Sequence, residues 1–137
     1  KTYFRKMIKL KDLLRESEDT KNTAGVLYQY NNKFLLCLSS TSRRWNIPKG
    51  HMMVGETPLE GALREFKEET ELTLDGIPKL SLKHTKDNGG IMHIFSLTGE
   101  VKLEPTLNHE HTDWGYFEKD NLPKPTHVAV EKVIKNA

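Results

Sequence analysis

The chain has 137 residues, with 21 Lys and Arg against 19 Asp and Glu, and a formal net charge of +2. This near balance argues against a protein that depends on a basic surface to bind nucleic acid or membranes. The length fits one domain over residues 1–137, long enough to bury a core without disulfide or metal supports.

The single cysteine, Cys37, lies in an apolar run, so no disulfide can form within the chain. This fits a reducing compartment, and we expect a cytoplasmic protein in which Cys37 is a small buried side chain. No apolar run approaches the roughly 18 residues of a membrane span. Residues 1–18 lack the long apolar centre of a signal peptide, and we expect an N-terminal extension. Met7 fits a natural start, which would make the first six residues an addition.

The first predicted elements are two strands and a loop. Residues 22–30 and 33–39 are rich in strand-forming side chains, and Asn31-Asn32 between them predicts a hairpin turn. Residues 40–50 combine Ser, Thr, Pro and Gly and predict a loop.

A helix is predicted to follow, and its start is well marked. Thr57 suits the N-cap, Pro58 the first helical position and Glu60 the third, where its side chain can reach back to the cap. Four apolar residues then recur at the spacing of one helix face. The predicted buried stripe is Leu59, Ala62, Leu63 and Phe66.

The second half of the chain predicts further strands and a closing helix. Residues 79–86 and 91–103 predict strands on either side of a turn, and residues 112–123 contain a short aromatic strand. Residues 126–136 predict a helix capped by Thr126. Its predicted inward-facing residues are Val130, Val133 and Ile134. The order of strands, helix, strands and helix predicts an α/β (α+β) sandwich with a mixed sheet.

Three acids of the central helix form a group of like charges. At 100° per residue, Glu65, Glu68 and Glu69 fall within an arc of roughly 100°. Gly61 lies in the same arc, and only Arg64 flanks it. Like charges at these spacings repel by about a few tenths of a kcal/mol per pair. The spacing therefore leaves two interpretations open, a solvated acidic face or a site for a hard divalent cation that takes carboxylate oxygens.

Residues 50–72 resemble the Nudix box of the Nudix hydrolase family, Gly-x5-Glu-x7-Arg-Glu-U-x-Glu-Glu-x-Gly-U, where U is a bulky apolar residue. Gly50, Glu56 and the run "REFKEE" at residues 64–69 match at fixed spacing, and Leu72 closes the box. Eight of the nine defined positions match, and the ninth holds Glu71 in place of glycine. A non-glycine residue in a left-handed helix exit costs roughly 1–2 kcal/mol, but no implied ligand is lost.

The resemblance implies a mixed β-sheet between helices and the hydrolysis of a nucleoside diphosphate-linked compound with Mg²⁺ or Mn²⁺. The catalytic metal ligands that it implies are Glu65, Glu68 and Glu69, one of which helps to deprotonate the water. Glu56 and Arg64, also placed with the catalytic residues, are expected to pair and to hold the loop against the helix. Gly50 is placed beside the metal ligands, where it gives the turn backbone freedom.

Two segments outside the box extend the resemblance. "WNIPKGH" at residues 45–51 and "NHEH" at residues 108–111 resemble segments of diadenosine tetraphosphate hydrolases, and the first also resembles diphosphoinositol polyphosphate hydrolases. By this likeness Glu110 is a further metal ligand or base. Residues predicted to contact substrate are Lys49, Arg44, Trp45, His51 and Tyr28. The basic residues suit phosphates and the aromatic rings suit adenine, although solvated loops and core packing explain them equally simply.

The leading functional hypothesis is a pyrophosphohydrolase of dinucleoside polyphosphates. Alternatives are an RNA 5′-triphosphate pyrophosphohydrolase, a nucleoside triphosphate or ADP-ribose pyrophosphatase and a non-catalytic Nudix-fold nucleotide-binding module. The expected partner is a small nucleotide, with nucleic acid only if the substrate is an RNA 5′ end, and no membrane; the oligomeric state stays open. Zinc at His109 and His111 is disfavoured, because no cysteine or third histidine lies close in sequence.

Overall fold

A computed structural model describes residues 18–137; the predicted N-terminal extension lies almost wholly outside this range. The strands are β1 Glu18–Tyr30, β2 Lys33–Ser39, β3 Trp45–Asn46, β4 Lys49–Met53, β5 Lys79–Thr85, β6 Ile91–Gly99 and β7 His111–Glu118. The helices are α1 Pro58–Thr70 and α2 Val128–Lys135. Within the described residues, no helix has both the length and the apolar character that crossing a membrane requires.

The seven strands form one sheet, whose main path runs β3-β2-β1-β6-β5. β4 pairs with β1, and β7 pairs with β2. Since β1 and β6 run parallel while the other pairs are antiparallel, the sheet is mixed. The predicted α/β (α+β) sandwich, a mixed sheet between helices, is confirmed.

Successive side chains of β1 contribute to the hydrophobic core on opposite faces of the sheet. Val26 packs with Ala62 and Phe66 of α1, whereas its neighbour Leu27 packs with Val130 of α2 on the opposite face. Successive side chains of a strand point to opposite faces, so one strand supplies both cores.

The predicted hairpin is confirmed, whereas the predicted loop is only partly correct. Asn31 and Asn32 both have positive φ angles, 52° and 62°, as a two-residue turn between twisted strands requires. Residues 40–50, predicted as a loop, contain β3 and the start of β4. The pairing of β4 with β1 joins distant parts of the chain, so local composition carries no signal for it.

The predicted start of α1 is confirmed, and part of its buried stripe is wrong. The Thr57 hydroxyl accepts the Glu60 N–H, and the Glu60 carboxylate accepts the Thr57 N–H. Ala62 and Phe66 are buried, but Leu63 is 36% exposed. The helix face that meets the sheet is turned away from Leu63 and includes acidic positions.

The predicted start of the closing helix is displaced by one residue. α2 begins at Val128, and its N-cap is His127, whose Nδ1 accepts the Ala129 N–H at 3.1 Å. Thr126 instead donates its hydroxyl to the Pro123 carbonyl. An imidazole nitrogen therefore does the capping that the hydroxyl was expected to do.

Glu71 occupies the left-handed exit of α1, with φ 59° and ψ 22°. We expect Glu71→Gly to raise the free energy of unfolding by about 1 kcal/mol, because glycine adopts this conformation without the steric cost that a side chain incurs. Chemical denaturation measures the change. Thr73→Gly, two residues on, serves as the control, and an unchanged or lower stability for Glu71→Gly would contradict the expectation.

Candidate active site

Two acids of α1 are buried against β4. Glu65 is 9% exposed and Glu69 is 1% exposed. Gly50 makes room for the first, since a Cβ at Gly50 would lie 2.2 Å from Glu65 Oε2. Gly50 does not adopt a positive φ. Gly50 was expected to contribute backbone freedom. Its contribution is instead the absence of a side chain, which leaves space for the Glu65 carboxylate.

A third acid reaches the same place from a distant loop. Glu65, Glu69 and Glu110 each contribute a carboxylate oxygen, and these oxygens lie within 4.8 Å of one another. Glu110 precedes β7 and is exposed. We refer to Glu65, Glu69 and Glu110 as the acid cluster.

The structure does not group Glu68 with the acid cluster. Its side chain is 41% exposed, and one of its oxygens accepts a hydrogen bond from Arg64 Nη1 at 3.2 Å. Glu68 nevertheless lines the same cleft as Glu65 and Glu110. It stands at the solvent side of that cleft.

Arg64 holds the loop before α1 and the acid cluster together. Its Nε and Nη2 donate to the two oxygens of Glu56 at 2.7 and 3.0 Å, and its Nη1 donates to Glu65 Oε1 at 2.8 Å. Nη2 also donates to the His51 carbonyl at 2.9 Å. Glu56 Oε1 in turn accepts the Met53 N–H. The expected Glu56–Arg64 pair is therefore present, and it fixes the position of Glu65.

Asn108 fixes the third acid. Its Oδ1 accepts the Glu110 N–H at 3.0 Å, while its Nδ2 donates to Glu110 Oε2 at 3.3 Å and to the Glu68 carbonyl at 3.4 Å. Ser40 holds the same loop from the other side, through N–H to the Glu110 carbonyl and hydroxyl to the His109 carbonyl, each at 2.9 Å. Sequence reasoning missed both residues, although Asn two positions before Glu is a spacing typical of a side-chain turn.

Burial is the main cause of the raised pKa of Glu65 and of Glu69, whereas the contact with Glu65 acts to lower the pKa of Glu69. Desolvation raises the pKa of Glu65, and the adjacent Glu69 raises it further. Desolvation also raises the pKa of Glu69, with a smaller contribution from the charge of Glu110. His111 Nε2 contacts Glu69 Oε1 at 2.5 Å, and burial lowers the pKa of this histidine. Because burial and neighbouring negative charge both disfavour the ionised form of a carboxyl group, ionising these carboxyl groups together is unfavourable unless a cation compensates their charge.

The residues of the acid cluster fit a divalent cation. Glu69 Oε2 is buried and receives no hydrogen bond from the described residues, so an ion would satisfy it. The donor set consists of carboxylate oxygens, which Mg²⁺ and Mn²⁺ prefer, rather than the thiolates and imidazoles typical of zinc.

Two cavities adjoin the acid cluster. The first, the cleft, has a volume of about 650 Å³ and is lined by Thr23, residues 49–51, Met53, Arg64, Glu65, Glu68 and residues 108–110. The second, the hydroxyl pocket, has a volume of about 320 Å³ and is lined by residues 39–42, Asn46, Ile47, Lys49, Glu69 and residues 109–111. Lys49, His109 and Glu110 line both, so the two cavities meet beside the acid cluster.

The five residues predicted to contact substrate lie in different places. Lys49 and His51 line the cleft. Arg44 is exposed and lines neither cavity. Tyr28 is 4% exposed in the core of the α1 side and donates its hydroxyl to the Val101 carbonyl, which leaves its ring no free face for a base. Trp45 packs edge-to-face on Phe117, with ring centroids 5.0 Å apart, and lines neither cavity.

Comparison with known proteins shows where this architecture recurs. The family model of the NUDIX domain matches residues 19–137. An Ap4A hydrolase from C. elegans, solved as a binary complex, aligns with a TM-score of 0.73 and 22% identity, covering 84% of this chain and 94% of that chain. A MutT protein from Methanosarcina mazei Go1 aligns with a TM-score of 0.70 and 18% identity, covering 85% and 91%. A MutT NUDIX hydrolase from Burkholderia pseudomallei aligns with a TM-score of 0.70 and 21% identity, covering 86% and 98%. At these identities the structural likeness is one of fold.

Proposed function

The chain belongs to the Nudix family of hydrolases, which act on pyrophosphate bonds, and from this premise we propose that it cleaves a phosphoanhydride bond of a dinucleoside polyphosphate with Mg²⁺ or Mn²⁺. The observation that carries the proposal is the acid cluster, in which Glu65, Glu69 and Glu110 converge to within 4.8 Å. Two of these acids are buried, and Glu69 Oε2 receives no hydrogen bond from the described residues, so a bound cation would offset a cost of burial that the existing hydrogen bonds leave uncompensated.

The chain's own residues suggest a division of roles. Glu65, Glu69 and Glu110 would hold the divalent cation, which when bound supplies positive charge that neutralises phosphates and activates water. Arg64 and Glu56 orient Glu65 through their paired hydrogen bonds. For Glu68, which is exposed and lines the cleft, we propose the role of a base that passes a proton to bulk water or, alternatively, of an additional metal ligand.

Lys49 and His51 are the residues we propose for phosphate contacts in the cleft. The Lys49 N–H donates to Glu69 Oε1 at 3.3 Å, which keeps this residue beside the acid cluster. A lysine ammonium is a compact charge that suits a polyphosphate. Arg44, exposed and outside the cavities, would act only on a substrate that extends beyond them.

The substrate class rests on two likenesses. The segments "WNIPKGH" and "NHEH" resemble those of diadenosine tetraphosphate hydrolases, and the fold resembles that of an Ap4A hydrolase. The alternative substrates are an RNA 5′ triphosphate, a nucleoside triphosphate and ADP-ribose, and the non-enzymatic alternative is a nucleotide-binding module with the Nudix fold. We further propose a single Nudix domain in the cytoplasm, supported by the extent of the family match and the single buried cysteine.

A nucleotide panel tests the proposal. The protein is incubated with Mg²⁺ or Mn²⁺ and dinucleoside polyphosphates, nucleoside triphosphates, ADP-ribose and 5′-triphosphate RNA, and the products are identified by chromatography. We expect diadenosine tetraphosphate to be cleaved with the highest kcat/KM and only when the metal is present. Preferential cleavage of a nucleoside triphosphate would contradict the proposed substrate class and favour nucleoside triphosphates instead. If none of the compounds were cleaved, the proposed enzymatic function would be contradicted.

Asn108 provides a second, more local test. We expect Asn108→Ala to lower kcat/KM by about tenfold, because two hydrogen bonds to Glu110, each worth about 0.5–1.5 kcal/mol, are removed. The concentration of Mg²⁺ that gives half-maximal activity should rise, which a general loss of stability would not produce. Asn121→Ala, in the turn after β7, is the control, and an unchanged metal requirement in Asn108→Ala would argue against its role.

A further inference from the structure

The hydroxyl pocket is a cavity beside the acid cluster that the proposed chemistry does not use. Its volume of about 320 Å³ lies within the roughly 300–1,000 Å³ range of small-ligand sites. It meets the cleft at Lys49, His109 and Glu110. A substrate whose phosphates lie at the acid cluster can therefore place its next group in this pocket.

A turn with four consecutive hydroxyl side chains, residues 39–42, forms one wall of the hydroxyl pocket. Ser39 Oγ accepts the N–H groups of Thr41 and Ser42 at 3.3 and 3.2 Å. Ser40 ties the same turn to the loop of Glu110. The turn is further ordered by a hydrogen bond between Thr41 Oγ1 and Ser39 Oγ at 3.2 Å and by the Arg44 N–H, which donates to Ser42 Oγ at 3.3 Å. The Thr41 and Ser42 side chains are exposed, and a hydroxyl that makes one hydrogen bond can still make another. An ordered set of hydroxyls suits a ligand that offers hydroxyls or phosphate oxygens.

The rest of the lining has the same polar character. Asn46 contributes an amide, Lys49 an ammonium and His109 an imidazole, while Ile47 is the aliphatic residue of the lining. The amide and the ammonium complement a sugar and its phosphate, while the two carboxylates of the lining, Glu69 and Glu110, lie at the side that the pocket shares with the acid cluster.

None of the described phenylalanine, tyrosine and tryptophan residues lines either cavity. Tyr28 is buried and bonded to Val101, and Trp45 packs on Phe117. Trp114 and Tyr116 pack edge-to-face with each other, 6.2 Å between centroids, and Tyr116 donates its hydroxyl to the Leu103 carbonyl. Among the described tyrosine and tryptophan rings, these four are therefore engaged within the protein, and the rings that line the cavities are the smaller imidazoles of His51, His109 and His111.

We propose that the hydroxyl pocket binds the ribose phosphate end of the substrate through hydrogen bonds and that the enzyme does not discriminate between nucleobases. This inference rests on the proposed function. Selection falls on the polyphosphate chain and the sugar hydroxyls, and the base extends past the turn of residues 39–42.

Matched substrates test the inference. We expect diadenosine, diguanosine and diuridine tetraphosphates to have kcat/KM values within about threefold of one another, because a site rejects an analogue strongly only where it was built to bond the missing group. The bis(2′-deoxyadenosine) analogue should be about tenfold poorer, from the loss of sugar hydrogen bonds. Thr41→Val should reduce this ribose preference. Thr98→Val, the same substitution on β6, should leave it intact.

The outcomes separate the two proposals. The inference is supported if kcat/KM is similar for the three bases, is lower for the deoxyribose substrate, and loses this ribose preference in Thr41→Val. A preference of a hundredfold or more for one base, or equal rates for ribose and deoxyribose substrates, would overturn it while leaving the proposed function in place. Failure to cleave any dinucleoside polyphosphate would overturn both.

Discussion

Glu69→Gln should lower kcat by about 10²–10³-fold, the effect typical of removing one group that stabilises developing charge. Glu69 is 1% exposed, and one of its oxygens lies in the acid cluster. Glutamine keeps the shape of the side chain but removes the negative charge that would hold a cation. Steady-state assays with diadenosine tetraphosphate and saturating Mg²⁺ measure the loss.

The same variant should not be less stable, which separates catalysis from folding. Burial raises the pKa of Glu69, so in the metal-free protein its ionised form opposes folding. A group with a raised folded-state pKa loses its contribution to stability as pH rises through that pKa. Glutamine cannot ionise, and the melting temperature of metal-free Glu69→Gln should equal or exceed that of the parent above neutral pH.

The control for Glu69→Gln is Glu100→Gln, which changes an exposed acid and should preserve activity. Full activity in Glu69→Gln would refute its role as a ligand. A large fall in its melting temperature would instead refute our explanation of the burial.

Gly50→Ala should lower kcat/KM by about a hundredfold or more, comparable to the loss of a charge-stabilising group. The added Cβ would lie 2.2 Å from Oε2 and 2.3 Å from Cδ of Glu65. Arg64 holds Glu65 at 2.8 Å, so the carboxylate can leave only by breaking that bond and moving out of the acid cluster. Overpacking of this kind costs about 1–3 kcal/mol of stability.

Gly89→Ala is the matched control for Gly50→Ala. Gly89 has a φ of 85° and open space around its Cβ position, so alanine there strains the backbone without touching the acid cluster. We expect a comparable loss of stability with retained kcat/KM. If Gly50→Ala were as active as Gly89→Ala, the contact between Gly50 and Glu65 would have no functional meaning.

The local features of the fold could be predicted because they depend on near neighbours in sequence. The capping box of Thr57 and Glu60 and the turn at Asn31-Asn32 follow from side-chain chemistry within a few residues. The pairing of β4 with β1 does not, and it determines which face of α1 is covered. For this reason Leu63 is partly exposed while Glu65 is buried, opposite to the expectation from apolar periodicity.

The residues of the candidate site likewise include some that local sequence indicates and others that only distant contacts bring together. Helical spacing grouped Glu65, Glu68 and Glu69, but β4 covers only the first and third, and Glu68 remains in solvent. Glu110 could be suggested only by resemblance, since a loop distant in sequence brings it to the helix. For the aromatic residues the sequence left core packing and substrate contact both open, because it does not indicate whether a ring has a partner; Tyr28 donates its hydroxyl to the Val101 carbonyl.

Binding of Mn²⁺ to the metal-free protein, followed through the electron paramagnetic resonance signal of the free ion, tests most directly whether the acid cluster holds a divalent cation. Because burial raises the pKa of Glu65 and Glu69, protons compete with the ion at low pH. The pKa of each is raised to about 8, so we predict saturable binding that tightens as pH rises from about 6 to 8, where protons still compete with the ion, and that is lost in Glu69→Gln. Binding that is independent of pH, or equal in parent and variant, would contradict the assignment.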